Sequence, residues 1–374
     1  MTIGVNARLI IEGKMDGIGW FSYQTLRLMV QQHREHRFIL FFDRKPTVDI
    51  CSEGNVEQVV LHPPARHPVL WYLFFEVSLR RALRRYRCDL LLSPDGFLPL
   101  QNRIPSVAVI HDLNFEHQSG NLKRSHQRYM SHFFPRFAHC ATRIATVSDY
   151  SRHDIAATYH LPIEKIDVVY DGAHDAYRPL GLEEQQAVRE QYTNGRRYLI
   201  FVSTILKRKN LSTLLQAYDR VREHHDVALV VVGRRVWWQD ELQQAYDTMR
   251  HGGDVLFLGH TSTIELSRLL AAAEMLVYPS LFEGFGIPVL EAFHAETAVV
   301  ASNTTSLPEV TGDAALLVDP TNPLMMADAI ERLLTHPQLR QDLIARGRSQ
   351  RQRFGWDKTA AALWKSIERC TQPQ

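Results

Sequence analysis

The sequence predicts an α/β protein built of two doubly wound domains, and three observations predict it. Short β-branched runs alternate with longer helical patterns along the chain, the mark of a parallel sheet covered by helices. A length of 374 residues exceeds what one hydrophobic core usually supports. A turn-rich, polar stretch, "YDGAHDAYRPLGLEEQQAVREQYTNGRR", separates two halves of similar pattern and contains the turn signal Asn194-Gly195.

In the first half the predicted strands are Ile3–Leu9, Phe38–Phe42, Val56–Leu61, Leu90–Leu92, Val107–Ile110, Ile144–Val147 and Ile166–Val169. "GIGWFSYQTLRLMVQQH" and "YLFFEVSLRRALRRY" read as helices between them. In the second half the strands are Tyr198–Val202, Ala228–Val232, Val255–Leu258, Met275–Tyr278, Ala298–Ala301 and Ala315–Val318. "NLSTLLQAYDRVREHH" and "IELSRLLAAAEM" are the clearest helices there. The domain boundary is expected near residue 180, giving segments 1–180, 181–352 and a final helix within 353–374. That helix follows a complete second sheet and is expected to pack elsewhere.

Apolar residues make up 45% and charged residues 22%, an ordinary globular composition. A formal charge of +2 gives no support to a nucleic-acid binder. Cys51, Cys88, Cys140 and Cys370 lie far apart, show no metal-ligand spacing and read as free thiols. No H-E-x-x-H spacing or Cys/His cluster points to zinc, so no metal is expected. The N-terminus lacks the pattern of a signal peptide, and no apolar run is long enough to span a bilayer.

Ligands of open α/β sheets collect at the carboxyl ends of the strands. After the first strand, "EGKMDGIGW" supplies Gly17 and Gly19 ahead of a helix, which reads as a ligand loop or as an ordinary turn. "SVAVI" runs directly into His111-Asp112, either a pair facing a ligand or a capping Asp112 beside a surface histidine. "YLIFVS" ends in Ser203-Thr204, and Lys207, Arg208 and Lys209 then stand where a helix dipole disfavours cations. An anionic ligand would resolve that conflict, and the same logic extends to Gly233, Arg234 and Arg235. In "LFEGFGIPVLEAFHAE", Pro288 fits the first turn of a helix, and Gly284 and Gly286 expose backbone amides near its start. Glu291 could accept from vicinal hydroxyls such as those of a ribose, and Glu283 could orient a second polyol. A carboxylate pair also suits a hydrolase, but cations and carboxylates together suit an anionic, hydroxyl-rich ligand such as a nucleotide sugar.

"EGFGIPVLEAFHAETAVVASNTTSLPEVTGDAALLVDP" resembles the C-terminal signature of retaining glycosyltransferase family 4, whose hallmark is E-x7-E. "VSTILKRKNLSTLLQAY" is similar to its phosphate-binding segment, "VIHDLNFEHQ" to its first-domain histidine segment, and "NARLIIEGKMDGIGWFSYQTL" to its opening glycine loop. The likeness spans residues 3–320 or so, with the motifs in order. It implies a GT-B fold: two facing Rossmann-like domains with a cleft between them, and a C-terminal helix crossing back to the first domain. It further implies that Glu291 holds the ribose, that Glu283 and the amides of Phe285, Gly286 and Ile287 hold the transferred sugar, and that Lys209 neutralises the diphosphate. His111 is expected beside the sugar, and Gly17 and Gly19 near phosphates or acceptor. Many members carry an arginine after the glycine at the exit of the "LIFVS" strand; here Ser203-Thr204 stands there, and Arg208 or Thr204 could take over that contact.

The resemblance implies transfer of a hexose with its α configuration retained and no cofactor required. GDP-mannose is the favoured donor, because the pattern is closest to bacterial mannosyltransferases; UDP-glucose, UDP-galactose and other UDP-sugars are the alternatives. A saccharide acceptor of O-antigen or exopolysaccharide synthesis, lipid-linked, is expected. Trp71, Tyr72, Arg80, Arg81 and Arg84 form a candidate patch for that acceptor or for an anionic membrane face, against a reading in which the aromatics are core and the arginines solvated. The enzyme would then be cytoplasmic and peripheral at the inner face of the plasma membrane. A non-catalytic sugar-nucleotide binding module is the other class.

Overall fold

A computed structural model describes residues 1–13, 15, 17–48, 50, 54–118 and 123–371. It forms two compact units, Met1–Gly172 together with Gly355–Gln374, and Ala173–Phe354.

The first unit holds a seven-stranded sheet of β1 (Thr2–Asn6), β2 (Arg37–Phe42), β3 (Val56–Val60), β4 (Leu90–Ser93), β5 (Ser106–Val109), β6 (Arg143–Thr146) and β7 (Ile166–Val168), in the order β3-β2-β1-β4-β5-β6-β7. Every pairing is parallel. Strands buried on both faces carry almost no polar residue, which is why "RFILFF" and "LLLS" were legible as strands. The first strand is shorter than the expected Ile3–Leu9. It stops at Asn6, where the side chain turns to partners beyond β4 and Ile10 N–H closes a turn on the Ala7 carbonyl at 3.1 Å.

Helix Gly17–Gln32 follows β1 as expected. The "YLFFEVSLRRALRRY" helix starts earlier, at Pro68, and changes type: α over Pro68–Leu73, π over Phe74–Leu79, α over Arg80–Arg85. A 17-residue helix, Arg124–Cys140, was not singled out from the sequence; Pro135 in its interior and its wealth of histidine and arginine blur the pattern.

The C-terminal helix Trp356–Thr371 packs within this first unit. Its Trp364 ring lies 3.5 Å from the His33 ring, nearly parallel at 12°. Arg369 pairs with Asp167, which also holds Arg143 at 2.7 Å. Gly172 makes room for the start of this helix, since a Cβ there would meet Trp356 N at 2.6 Å.

The second unit holds a six-stranded parallel sheet, β8 (Tyr198–Val202), β9 (Ala228–Val232), β10 (Val255–Gly259), β11 (Met275–Tyr278), β12 (Ala298–Ser302) and β13 (Leu316–Val318), ordered β10-β9-β8-β11-β12-β13. Its core gathers Leu199, Phe201, Val231, Val277 and Val300 with apolar faces of helices Leu211–Arg222 and Pro323–Thr335. The segment after Gly172 belongs here: Ser267 Oγ donates to the Ala176 carbonyl at 2.6 Å, and Tyr177 bonds to Glu291.

Candidate active site

Strand order reverses once in each sheet, between β1 and β4 and between β8 and β11. A crevice opens at such a reversal because the flanking connections leave in opposite directions. Both reversals in this chain are lined with polar side chains.

At the β8/β11 reversal, Arg208 and Lys209 meet Tyr278 and Glu283, 69 to 75 residues further along the chain. Lys209 Nζ donates to Tyr278 Oη at 3.0 Å and to Glu283 Oε1. Tyr278 Oη donates to the same carboxylate oxygen at 2.8 Å, and Arg208 Nη1 lies 3.2 Å from Glu283 Oε2. Lys209, Tyr278 and Glu283 are buried. Burial alone would raise the Glu283 carboxyl, but Lys209 and Arg208 outweigh it and hold it down at about 2. Tyr278 is pushed well above its ordinary range by burial and by the neighbouring carboxylate. The cluster therefore holds two cations against one anion.

This corrects one expectation. Lys207–Lys209 form a 3-10 turn, helix Leu211–Arg222 begins only after Asn210, and Glu283 is the anion that answers the two cations. Asn210 adopts a left-handed conformation, φ 58°, and its amide bonds to the carbonyls of Pro279 and Pro320. Arg208 Nη1 also donates to the Phe282 carbonyl at 2.9 Å, so the basic turn and the glutamate loop are stitched together.

The loop leading to helix Ile287–Ala295 is fixed from the other side. Glu283 N–H donates to Thr305 Oγ1 at 3.1 Å, and Ser306 Oγ lies 3.0 Å from the carbonyls of both Glu283 and Phe285. Gly286 has φ +106°, and a Cβ there would meet Leu307 at 2.7 Å, so only glycine fits. Gly284 and Phe285 are buried, and Phe285 meets Phe354 edge-on at 5.3 Å. Ile287 is the first residue of a nine-residue helix whose N-terminus favours negative charge. Glu291 stands just past its first turn. Burial raises its carboxyl to about 7, against a hydrogen bond from the Tyr177 hydroxyl that lowers it.

Ser203 and Thr204 leave β8 half-buried, and Ser203 N–H pairs with the Val232 carbonyl at 3.0 Å. Gly233, with φ +140°, sits so close that a Cβ would lie 1.8 Å from the Ser203 carbonyl oxygen. Its glycine is required by the approach of two chains. The Arg235 guanidinium lies over the Trp238 ring at 4.5 Å and the Phe257 ring at 4.1 Å.

In the first unit, His111 follows β5 and is half-buried. Its Nε2 lies 2.9 Å from the Pro94 carbonyl, which can only accept, so Nε2 carries a proton and donates. Phe21 meets the imidazole edge-on at 4.9 Å. Asp112 accepts from Asn114 N–H at 2.9 Å, a local turn bond just ahead of a short helix whose N-cap is Leu113. Gly17 opens helix Gly17–Gln32. Gly19 is buried in it, where a Cβ would lie 3.0 Å from the Leu9 carbonyl oxygen.

Sequence reasoning missed the network at the β1/β4 reversal. Asn6 Nδ2 donates to Asp95 Oδ1 at 2.7 Å and to Ser93 Oγ at 3.1 Å, and Arg8 Nε donates to Asp95 Oδ2 at 2.6 Å. Arg8 lies over the Phe97 ring at 4.5 Å, with Phe75 and Trp71 near it. Asn6, Arg8, Ser93 and Asp95 are all buried, and Asn6 Oδ1 has no partner among the described residues. Polar residues at the ends of two apolar strands, "VNAR" and "LSPD", were the available signal.

Trp71 is half-buried against the core: its Nε1 donates to the Ala65 carbonyl at 2.7 Å and its ring packs on Phe97 and Tyr129. Tyr72, Arg81 and Arg84 are exposed, and half-buried Arg80 bonds to Gln101. Cys88, Cys140 and Cys370 are free thiols, and Cys51 lies outside the described residues. Among the described residues no group of His, Cys, Asp and Glu could hold a metal ion, and no helix is long and apolar enough to cross a membrane.

Comparison with known proteins adds to this geometry. The family model described as "Glycosyl transferases group 1" matches residues 183–350, and that for "Glycosyltransferase Family 4" matches residues 15–177. "O-antigen chain mannosyltransferase B" of Escherichia coli is 31% identical over 361 residues, covering 93% of this chain and 94% of that protein. Sucrose-phosphate synthase from Thermosynechococcus elongatus superposes with a TM-score of 0.80 at 17% identity, covering 99% of this chain and 98% of that one. Anabaena HepE, solved in complex with UDP and glucose, superposes at 0.74 with 18% identity over 98% and 99% of the two chains.

Proposed function

The chain belongs to glycosyltransferase family 4 and has the GT-B fold, and we propose that it transfers mannose from GDP-mannose to a saccharide hydroxyl with retention of configuration. A glycosyltransferase of this family takes a nucleotide sugar and a saccharide acceptor. The observation that carries the nucleotide-sugar reading is the cluster of buried Lys209, Glu283 and Tyr278 with half-buried Arg208, and Glu291 eight residues beyond Glu283.

Two cations against one carboxylate leave a net positive charge for the diphosphate, whose developing charge on departure is the main thing to stabilise. Lys209 and Arg208 supply this, together with the amides of Gly284, Phe285, Gly286 and Ile287. Ser203 and Thr204 supply hydroxyls at the strand exit, and Gly233 keeps that exit in place. Glu291 in its ionised form accepts from the ribose hydroxyls. Glu283, gripped by Lys209 and Tyr278, orients the sugar. The bond from C1 to the phosphate oxygen breaks as the acceptor oxygen bonds to C1 from the same face. The acceptor's proton passes to the departing diphosphate. His111 stands beside the sugar, and Gly17 and Gly19 let backbone approach phosphate or acceptor.

The mannose assignment draws on the relative named as an O-antigen chain mannosyltransferase. On this reading the acceptor is a growing O-antigen or exopolysaccharide chain on a lipid carrier, and the transfer would take place at the inner face of the plasma membrane. Nucleotide release from GDP-mannose, UDP-glucose, UDP-galactose and UDP-GlcNAc, with and without a lipid-linked saccharide extract, tests this reading. GDP released, raised by the extract and lost in Glu283→Ala supports it. UDP released from one of the other donors replaces mannose with that sugar. Nucleotide binding without release from any donor favours a binding module.

A further inference from the structure

Glu291 is answered by a tyrosine from far back in the chain. The second unit begins at Ala173, and Tyr177 stands in its opening segment. That segment is a tight turn: Tyr177 N–H donates to the His174 carbonyl at 3.2 Å, and Ala176 N–H donates to His174 Nδ1 at 3.0 Å. A side chain that accepts from the backbone two residues on fixes such a turn locally. Ser267 Oγ, buried on helix Thr263–Ala272, donates to the Ala176 carbonyl at 2.6 Å and ties the turn to the body of the unit. Tyr177 is thereby held with only 5% of its surface exposed, and its hydroxyl donates to the Glu291 carboxylate. A buried phenol needs a partner for its O–H, and the carboxylate supplies it.

The other ionisable groups around helix Ile287–Ala295 are committed elsewhere. His294, on the same helix, faces Arg351 and Asp175. Glu296 is held by Arg348 and Arg351, Glu283 by Lys209 and Arg208, and Glu265 by the Tyr192 hydroxyl. Arg340 pairs with Glu274 and Arg346 with Asp313. Among the described residues neither these nor Glu309, on helix Leu307–Thr311, acts on the charge of Glu291, so burial is opposed by the Tyr177 bond alone. An ionised carboxylate has about four lone-pair positions, so one bond to Tyr177 leaves room for two vicinal hydroxyls. Protonation turns one of its oxygens into a donor and takes part of that capacity away.

We propose that Tyr177 is a positioning residue of the donor site, whose hydroxyl holds the Glu291 carboxylate to receive the two ribose hydroxyls of the nucleotide. This role rests on the ribose reading of Glu291 given above and adds the group through which the carboxylate is aimed. A hydrogen bond to the charged form favours that form, so the same contact keeps Glu291 ionised at pH values where burial alone would protonate it. Tyr177 itself stays protonated there, since burial and the carboxylate push its hydroxyl well above the ordinary value.

The test is calorimetric binding to the full chain of GDP against 2′,3′-dideoxy-GDP, and of UDP against 2′,3′-dideoxy-UDP, across neutral pH. The affinity ratio within each pair cancels the titration of the diphosphate. For the nucleotide that binds, the wild type should prefer the ribose form about 10- to 100-fold above neutral pH and lose that preference as pH falls through about 7. Tyr177→Phe keeps the ring and should move the midpoint up by about one pH unit. That lowers the preference about fivefold at a pH of about 7 and restores it at about 9. Recovery at high pH separates a lost hydrogen bond from a damaged fold, and circular dichroism checks the fold directly. In Glu291→Gln, adding Tyr177→Phe should change nothing further. Tyr192→Phe, which removes the bond to Glu265 elsewhere in the unit, should leave preference and midpoint unchanged. A wild-type midpoint in Tyr177→Phe, a loss that persists at high pH, or an equal loss in the Glu291→Gln background overturns the role of Tyr177 and leaves the ribose reading standing. So does a shift in Tyr192→Phe as large as that in Tyr177→Phe. No nucleotide binding, or no preference for ribose by the wild type at any pH, overturns the ribose reading and the role of Tyr177 with it.

Discussion

The two sheet reversals are built on one plan and filled with different chemistry. At β8/β11 the side chains are Lys209, Arg208, Glu283 and Tyr278, two cations to one anion. At β1/β4 they are Asn6, Ser93, Asp95 and Arg8, one cation to one anion, with Arg8 laid over Phe97. Topology makes a crevice in both units, but charge balance decides what each can hold. An excess cation suits a diphosphate. A neutral, hydrogen-bonding cluster beside aromatic rings suits an uncharged polyol, as an acceptor saccharide would be.

The largest effect expected on that contrast is catalytic. Lys209→Ala should lower the rate of nucleotide release about 10²–10³-fold, read by steady-state kinetics. A loss below tenfold would break the assignment of the diphosphate to the second unit.

Next comes stability. Glu283→Gln leaves buried Lys209 and half-buried Arg208 without their anion and should cost about 3–5 kcal/mol in urea denaturation. Asp95→Asn strands a single cation that still rests on aromatic rings, and should cost less; equal costs would erase the contrast. The pH dependence has a definite sign. Glu283 is held below its ordinary range, so its contribution is present above that range and fades as pH falls towards about 2.

Glu291 sharpens the comparison further. A hydrogen bond to a charged group is worth about 1.5–3 kcal/mol, so Glu291→Gln should lower donor kcat/KM about 10- to 100-fold. Its carboxyl is raised to about 7 by burial, so wild-type donor kcat/KM should fall as pH drops through 7, and the variant should lose that step. The same shift removes stability as pH rises from the ordinary carboxylate range towards 7, because the unfolded chain ionises first. A profile flat across neutral pH in the wild type would count against the ribose role.

Ser93→Ala should give the smallest change, about 1 kcal/mol, because Asn6 keeps its bond to Asp95. A shift in donor KM in that variant would mean that the first unit's cluster also serves the nucleotide.

Much of the second unit's cluster was legible because its members belong to two short motifs, "KRKN" and "EGFGIPVLE", each at a strand exit. That they would neutralise one another was not, since Lys209 and Glu283 are 74 residues apart. Tyr278 was hidden as the last residue of an apolar strand, and Tyr177 because its partner Glu291 lies far along the chain. Asn6 and Asp95 are short side chains without a motif, and 89 residues separate them.

The sequence by itself determined the α/β class, the strands among the described residues to within a few residues, the glycine-proline loop before Glu291 and the family. Those follow from periodicity, turn chemistry and short motifs, which depend on neighbours along the chain. Only the tertiary structure decided that Glu283 answers Lys209 and Arg208, and that half-buried Trp71 packs on Phe97 and Tyr129. Each of these is set by which side chains meet in a buried, weakly screened space, where one charge or one residue of helical register changes the partner.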